Sequence, residues 1–209
     1  PTRVELAGRT DSGVHAIGQV AAFSAETRHA AETVRKALNA NLPEDVSVRA
    51  VRAVPAGFDP RRWARKRWYR YTIANGEARE PLTRRGAWFV EGNLDVRAMQ
   101  AAAQALAGKK DFSAFSGPLE PERTPVRTVF TAGWRCEGST LLFDIEADAF
   151  LPQMVRRITG SLIRVGRGAE TVEEIVRLLQ QAEPGSMAYV APAHGLCLQR
   201  VWYDEGYTV

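Results

Sequence analysis

The chain has 209 residues, of which 45% are hydrophobic and 25% are charged, a composition typical of an ordinary globular protein. It has no run of about 18 apolar residues, which excludes a membrane-spanning helix, and its charged N-terminal region predicts no signal peptide. Residues 1–100 hold 17 Lys and Arg against 11 Asp and Glu, whereas residues 101–209 hold 11 against 13. The basic first half points to a polyanionic partner.

The first part of the chain predicts a strand, a strand, a helix and a strand. Residues 4–7 and 19–23 are short apolar or alternating runs, the pattern of strands. Residues 30–40 are rich in Ala, Glu, Arg, Lys and Leu, which favours a helix, and Pro43 ends it. Residues 46–51 alternate in part and are predicted to form a third strand.

A strongly basic segment begins at Arg61. Six of the ten residues from Arg61 to Arg70 are cationic and three are aromatic. Residues 68–73 also alternate and have high β propensity, with Tyr69 and Tyr71 on the same face. A strand is therefore predicted to start inside this basic segment.

The rest of the chain predicts three helices and four strands. Asp95 is a candidate N-cap for the first of these helices, and Thr171 for the last. In chain order the elements are a strand at 88–90, a helix at 96–107, a hairpin of 126–137 and 141–147, helices at 154–165 and 171–181, and a strand at 196–202.

The order of these elements predicts the fold class. From Trp68 onward it is strand, helix, strand, strand, helix, strand with one additional helix, the order of a ferredoxin-like βαββαβ unit. We therefore predict an α+β fold of two ferredoxin-like halves joined in one mainly antiparallel sheet. Residues 1–56 form the N-terminal half, 57–66 a basic linker and 67–209 the C-terminal half. The N-terminal half lacks its first strand and helix, so we expect the natural protein to begin earlier.

One carboxylate stands out in the stretch Gly-Arg-Thr-Asp-Ser-Gly-Val-His at residues 8–15. Asp11 lies between two glycines on a loop between predicted strands, and such loops on a rigid sheet often carry catalytic groups. An ionised carboxylate that is held still is a candidate nucleophile or base. On spacing alone a structural role is favoured, because Asp often closes a turn with its own side chain.

Four segments resemble the tRNA pseudouridine synthase A family, in the same order along the chain. Residues 8–15 are similar to its catalytic loop, and 69–71 to its Tyr-Arg-Tyr strand. Residues 154–162 are similar to its Met-Val-Arg-Asn-Ile-Val-Gly-Ser-Leu segment, and 195–198 to its Gly-Leu-x-Leu strand. There are two departures. Pro-Gln precedes Met154 where the family often has His-His, and the family's N-terminal Tyr-Asp-Gly and Gly-Trp-Gln segments are missing.

The resemblance implies the pseudouridine synthase fold and an isomerase that converts uridine to pseudouridine in the anticodon stem-loop of tRNA, at positions 38–40. It implies no cofactor, a cytoplasmic location and a homodimer in which one tRNA contacts both subunits. The family's reaction breaks the bond from ribose to N1 of uracil, turns the base and rejoins it through C5. By this resemblance Asp11 would be the essential catalytic residue. Whether it attacks C6, attacks C1′ or abstracts a ribose proton stays open.

The same resemblance adds Tyr69 and Arg156 to the catalytic site. Tyr69 would stack on the flipped uracil, and its phenol would help to remove the C5 proton; without the resemblance it would be a core residue. Arg156 would pair with Asp11 and favour the ionised carboxylate, or else extend along its helix surface. Leu196 would pack against the uracil, although ordinary core packing is equally consistent.

Arg9, Arg61, Arg65 and Arg67 are predicted to bind the RNA substrate together with Tyr69. Arginine forms charge-assisted contacts with phosphates, and interleaved aromatic rings stack on bases. The target uridine must be flipped out before attack, and binding should depend strongly on salt. The alternative is that these arginines form a solvated basic surface.

No metal site is predicted, because the three histidines lack ligand spacing. Cys136 and Cys197 lack CxxC spacing and are expected to be reduced core thiols. Two other functions are compatible with parts of the pattern. One is a non-catalytic RNA-binding module with the same surface. The other is an aspartyl phosphotransferase using Asp11, which would need further carboxylates to hold a metal.

Overall fold

The structure, a computed structural model, describes residues 2–120, 122 and 124–204. The strands are β1 (Glu5–Leu6), β2 (His15–Ala16), β3 (Ala21–Ala22), β4 (Lys66–Gly76), β5 (Trp88–Glu91), β6 (Gly108–Asp111), β7 (Val126–Glu137), β8 (Thr140–Ala147) and β9 (Leu196–Trp202). The helices are α1 (Ala31–Asn41), α2 (Val96–Gln104), α3 (Met154–Gly166) and α4 (Val172–Gln181), and single 3₁₀ turns occur at Pro81–Thr83, Ser113–Phe115 and Ala193–Gly195.

The main sheet is built around the long strand β4. Its strand order is β2, β9, β4, β8, β7 and β6, and β5 pairs with the last residues of β4 beyond the end of β9. Among the described residues, only β2 with β9 and β4 with β5 are parallel pairs. The predicted α+β fold with a mainly antiparallel sheet is therefore confirmed. Strands β1 and β3 pair separately as a small antiparallel sheet.

Alternation along β4 decides which face of the sheet is buried. Tyr69, Tyr71 and Ile73 point to the same side and are buried in one hydrophobic core, together with Phe143 and Ile145 of the neighbouring strand β8. The apolar sides of α2, α3 and α4 belong to the same core. Burial of this continuous apolar surface is the main favourable term in the stability of the fold.

The predicted helix starts at Asp95 and Thr171 are confirmed. The carboxylate of Asp95 accepts a hydrogen bond from the backbone N–H of Ala98, and the hydroxyl of Thr171 accepts one from Glu174. Helix α3 begins differently. The residue before it, Gln153, has φ of 60°, a left-handed conformation that is uncommon outside glycine.

Several local predictions were wrong. Residues 46–51 form no strand, because the backbone N–H and C=O of Val48 bond the side chain of Asn39 instead of a neighbouring strand. Strands β2 and β6 were missed, and α2 ends at Gln104 rather than at residue 107. Cys136 is exposed rather than a core thiol, whereas Cys197 is half-buried.

Over the described part of the chain, no helix combines the length and apolar character needed to cross a membrane.

Candidate active site

The loop that carries Asp11 connects the small sheet to the main one. It leaves β1, turns through Asp11 and enters β2, which pairs with β9. The backbone N–H of Val14 donates to the carbonyl of Asp11 at 3.0 Å, which closes a tight turn. Gly13 within this turn has φ of +83°, and a Cβ there would lie 3.3 Å from Cβ of Ala193. The turn therefore needs a glycine and packs against the 3₁₀ turn before β9.

Arg156 forms an ion pair with Asp11. Nη1 of Arg156 lies 2.7 Å from Oδ2 of Asp11, and the side chains are 16% and 34% exposed, respectively. Nε of Arg156 also donates to the carbonyl of Ala191 at 2.8 Å, and the N–H of Ala191 returns a bond to the carbonyl of Arg156. Two bonds fix the guanidinium, which therefore holds the carboxylate in one place while leaving part of it open to solvent.

Tyr69 lies on β4, within electrostatic range of the Asp11 carboxylate. The residue is 8% exposed, and its ring packs edge-on against Phe150, with 5.1 Å between the ring centroids. Burial raises the pKa of Tyr69 to about 12; the positive charge of Arg67 opposes this rise, and the Asp11 carboxylate adds to it. The phenol is therefore protonated at neutral pH, next to an anionic group.

The 3₁₀ turn at Ala193–Gly195 and the segment before it pack against Tyr71 of β4. The hydroxyl of Tyr71 donates to the carbonyl of Pro192 at 2.7 Å, one residue after the carbonyl that Arg156 binds. Gly195 ends this turn, and a Cβ there would lie 2.6 Å from Cε1 of Tyr71. The absent side chain thus lets the Tyr71 ring lie directly under the segment that Arg156 and Gly13 contact.

A sequence model of the family described as tRNA pseudouridine synthase matches residues 1–61 and 102–204 of the chain. These matched parts contain both Asp11 and Arg156, whose side chains pair in the structure. The chain belongs to this family. The predicted resemblance is confirmed.

Similar proteins from several bacteria carry the name tRNA pseudouridine synthase A. The protein from Citrifermentans bemidjiense is 42% identical over 98% of this chain and 82% of its own length. The one from Roseiflexus castenholzii is 44% identical over 97% of the chain and 76% of its own length. The one from Geobacter sulfurreducens is 40% identical over 96% and 82%. Each identity extends over nearly the whole chain, so it covers the site and the sheet that supports it.

In this member of the family, the structure brings Asp11, Tyr69 and Arg156 to one place, although they lie on a loop, a strand and a helix far apart in sequence. Leu196 is buried at the start of β9, opposite Tyr71, as part of the hydrophobic core. Its direct contact with a bound base stays a prediction.

The basic residues expected at the surface divide into two groups. Arg9, Arg61 and Arg65 are exposed, and Arg65 forms an ion pair with Asp204, Nη2 to Oδ2, at 2.6 Å. Arg67 is different, because only 8% of it is exposed and its guanidinium donates to backbone carbonyls inside the protein. The placement of Arg67 on an RNA-facing surface is therefore corrected.

The sequence did not predict the residues whose side chains bond the backbone around the site. These include Tyr71 and Arg67, and also Gln19, whose amide donates to the carbonyl of Gly8 at 2.9 Å at the start of the Asp11 loop. A signal existed for Arg67: it shares strand parity with Tyr69 and Tyr71, so the alternation that buries them also buries Arg67. Gln19 gave no such signal, since its partner is a backbone carbonyl.

No group of three or more His, Cys, Asp or Glu in the described residues is arranged to hold a metal ion. What the site offers is one fixed carboxylate, one cation paired with it and one aromatic ring with a protonated phenol. This set fits attack by a carboxylate on an electrophilic carbon beside a stacked planar base.

Proposed function

We propose that this chain isomerises uridine to pseudouridine in tRNA, with Asp11 as the nucleophile. The observation that carries the proposal is the ion pair between Asp11 and Arg156 beside the ring of Tyr69, in a chain of the tRNA pseudouridine synthase family. As a member of that family it is an isomerase that acts on tRNA. The anticodon stem-loop, positions 38–40, is the proposed target.

The chemistry is balanced without any co-reactant. The bond between C1′ and N1 of the uridine breaks, the base turns, and a bond between C1′ and C5 forms. N1 gains a proton, and C5 loses one. Asp11 forms a temporary covalent bond to the nucleotide and is released when the new bond is complete. Since no oxidant or reductant is consumed, we propose that the enzyme needs no cofactor.

The electrostatics assign different tasks to the three side chains. Arg156 holds Asp11 in a fixed position, because its second bond to the carbonyl of Ala191 prevents it from following the carboxylate. The pKa of Tyr69 is raised to about 12, so its phenol stays protonated while its ring stacks on the base. Its phenol therefore serves in C5 deprotonation only if another group first accepts its proton.

The exposed arginines Arg9, Arg61 and Arg65 are proposed to bind phosphates of the stem-loop. The positive charge of these arginines suits a polyanion, and their exposure leaves them accessible. Leu196 is proposed to contact the edge of the base. We further propose that the protein acts in the cytoplasm as a homodimer. Within each chain, residues 1–56 and 67–209 would form two halves that the basic residues 57–66 join.

Release of tritium from tRNA labelled at C5 of uracil tests the proposed function. The natural full-length protein should release tritium, whereas Asp11→Asn should bind the same tRNA and release none. Arg135→Gln, on the opposite side of the sheet and half-exposed, serves as the matched control and should retain the wild-type rate. A wild-type protein that releases no tritium, or an Asp11→Asn variant that releases it normally, would sink the proposal.

A further inference from the structure

Arg67 is a buried cation that the proposed chemistry does not use. It lies on β4, two residues before Tyr69 and on the same side of the strand, and only 8% of it is exposed. No carboxylate in the described part of the chain lies within 4.0 Å of its guanidinium. Burial lowers the pKa of Arg67, yet an arginine stays protonated in proteins. The carboxylate of Asp148 acts on this cation only through space, and a buried charge without a direct ion pair is costly unless hydrogen bonds compensate it.

The guanidinium donates three hydrogen bonds, all to backbone carbonyls. Nη2 donates to Ala7 at 2.9 Å and to Arg61 at 2.8 Å, and Nη1 donates to Asp148 at 2.7 Å. The planar guanidinium presents its donors in a rigid fork, so these three bonds fix three backbone segments relative to β4.

Each of the three segments leads directly to a part of the site. Ala7 is fully buried and is the last residue before Gly8, where the Asp11 loop begins. Arg61 belongs to the exposed basic segment. Asp148 follows β8 and stands two residues before Phe150, whose ring packs edge-on against Tyr69. One side chain thus connects the loop of the nucleophile, the basic segment and the ring that supports the stacking tyrosine.

We propose that Arg67 is a positioning residue, which sets the place of the Asp11 loop relative to Tyr69 and does not itself contact the RNA. The inference rests on the proposed function, since it assumes that Asp11 and Tyr69 act on one nucleotide. A misplacement of reacting groups by about 1 Å costs on the order of a hundredfold in rate. The uncharged Arg67→Met should therefore be slow at saturating tRNA.

The test separates the rate of the chemical step from the binding of tRNA. Single-turnover tritium release at saturating tRNA should fall about a hundredfold in Arg67→Met, and the dissociation constant should stay within about threefold. Arg67→Lys keeps the cation but lacks the fork, so it should also lose rate. Arg135→Met removes a half-exposed arginine on the opposite side of the sheet, so it should leave both the saturated rate and the dissociation constant unchanged.

The outcomes distinguish positioning from phosphate binding. An unchanged saturated rate in Arg67→Met overturns the inference, and so does a reduced salt slope with weakened binding, which would make Arg67 a phosphate contact. If Arg67→Met does not fold, as judged by circular dichroism, Arg67→Lys decides by the same two measurements. If the wild-type protein releases no tritium, the proposed function is overturned. If the wild type is active and Arg67→Met reacts at the full rate, only the inference about Arg67 is overturned.

Discussion

Arg156 connects the nucleophile to the rest of the protein through one planar group. Nη1 binds Asp11 and Nε binds the carbonyl of Ala191, so the carboxylate is tied to the segment that leads into β9. Because Asp11 is one-third exposed, the same carboxylate stays accessible to a ligand. Because Arg156 is largely buried, the pair also contributes to stability, and removal of one partner would leave the other charge poorly compensated. The fixed geometry in addition sets the position of Asp11 for catalysis.

Replacement of Arg156 by methionine should therefore slow the reaction, in addition to its cost to stability. We expect the single-turnover rate of tritium release to fall by about a hundredfold or more, because Asp11 loses both its counter-ion and its fixed position. Arg156→Lys keeps a charge near Asp11 but gives up the second bond to Ala191, so its rate should be intermediate. Equal rates for Arg156→Met and the wild type at saturating tRNA would contradict the ion pair's assigned role.

At the scale of elements, the long periodic segments were predictable and the short ones were not. The strand β4, the hairpin of β7 and β8 and the helix α3 carry enough alternating or periodic apolar residues for their burial to dominate. By contrast, β2 has only two residues and exists because β9 lies beside it. Its backbone pairing joins His15 to Cys197, far along the chain, which no local pattern encodes.

The residues of the site also divide into those that the sequence predicted and those that it did not. The pattern around Asp11 and Arg156 carried enough information to name both residues, because a resemblance supplied what periodicity lacked. The supporting contacts were hidden, since Tyr71 and Arg67 bond carbonyls of Pro192, Ala7 and other backbone groups whose position only the folded chain defines. A basic run also favours an exposed interpretation, and here strand parity overrides it for Arg67.

The turn before β9 provides an element-scale test of this support. In Gly195→Ala the new methyl would lie 2.6 Å from Cε1 and 2.7 Å from Cζ of Tyr71, so either the ring or the turn must move. Overpacking of this kind costs about 1–3 kcal/mol of unfolding free energy, or on the order of 2–10 °C in melting temperature.

Movement of the turn would also shift Ala193, which packs against Gly13, so tritium release should fall along with stability. Gly86→Ala is the matched control, because a Cβ at Gly86 meets no atom within 4 Å. The control should leave both the melting temperature and the rate unchanged. An unaltered melting temperature in Gly195→Ala would show that the turn and the Tyr71 ring accommodate the methyl group freely.

At the scale of the whole molecule, the core contains ionisable tyrosines that are neutral in the folded state. Burial raises the pKa of both Tyr69 and Tyr203 to about 12, and it raises the pKa of Tyr71 further. In the unfolded chain a tyrosine titrates near pH 10. Between these values the unfolded state loses protons that the folded state retains, so alkaline solution favours unfolding.

Unfolding free energy should therefore be steady up to about pH 10 and fall as the pH rises toward 12. Each buried tyrosine contributes a slope of up to about 1.4 kcal/mol per pH unit in that interval. Tyr203→Phe loses the hydrogen bond from its hydroxyl to the carbonyl of Pro60, which lowers stability by a similar amount at every pH below 10. Because the variant no longer has that titrating group, its stability should also decline less steeply above pH 10. Urea unfolding at pH 9, 10, 10.5 and 11 measures both slopes, and parallel curves for the two proteins would contradict the assigned titration.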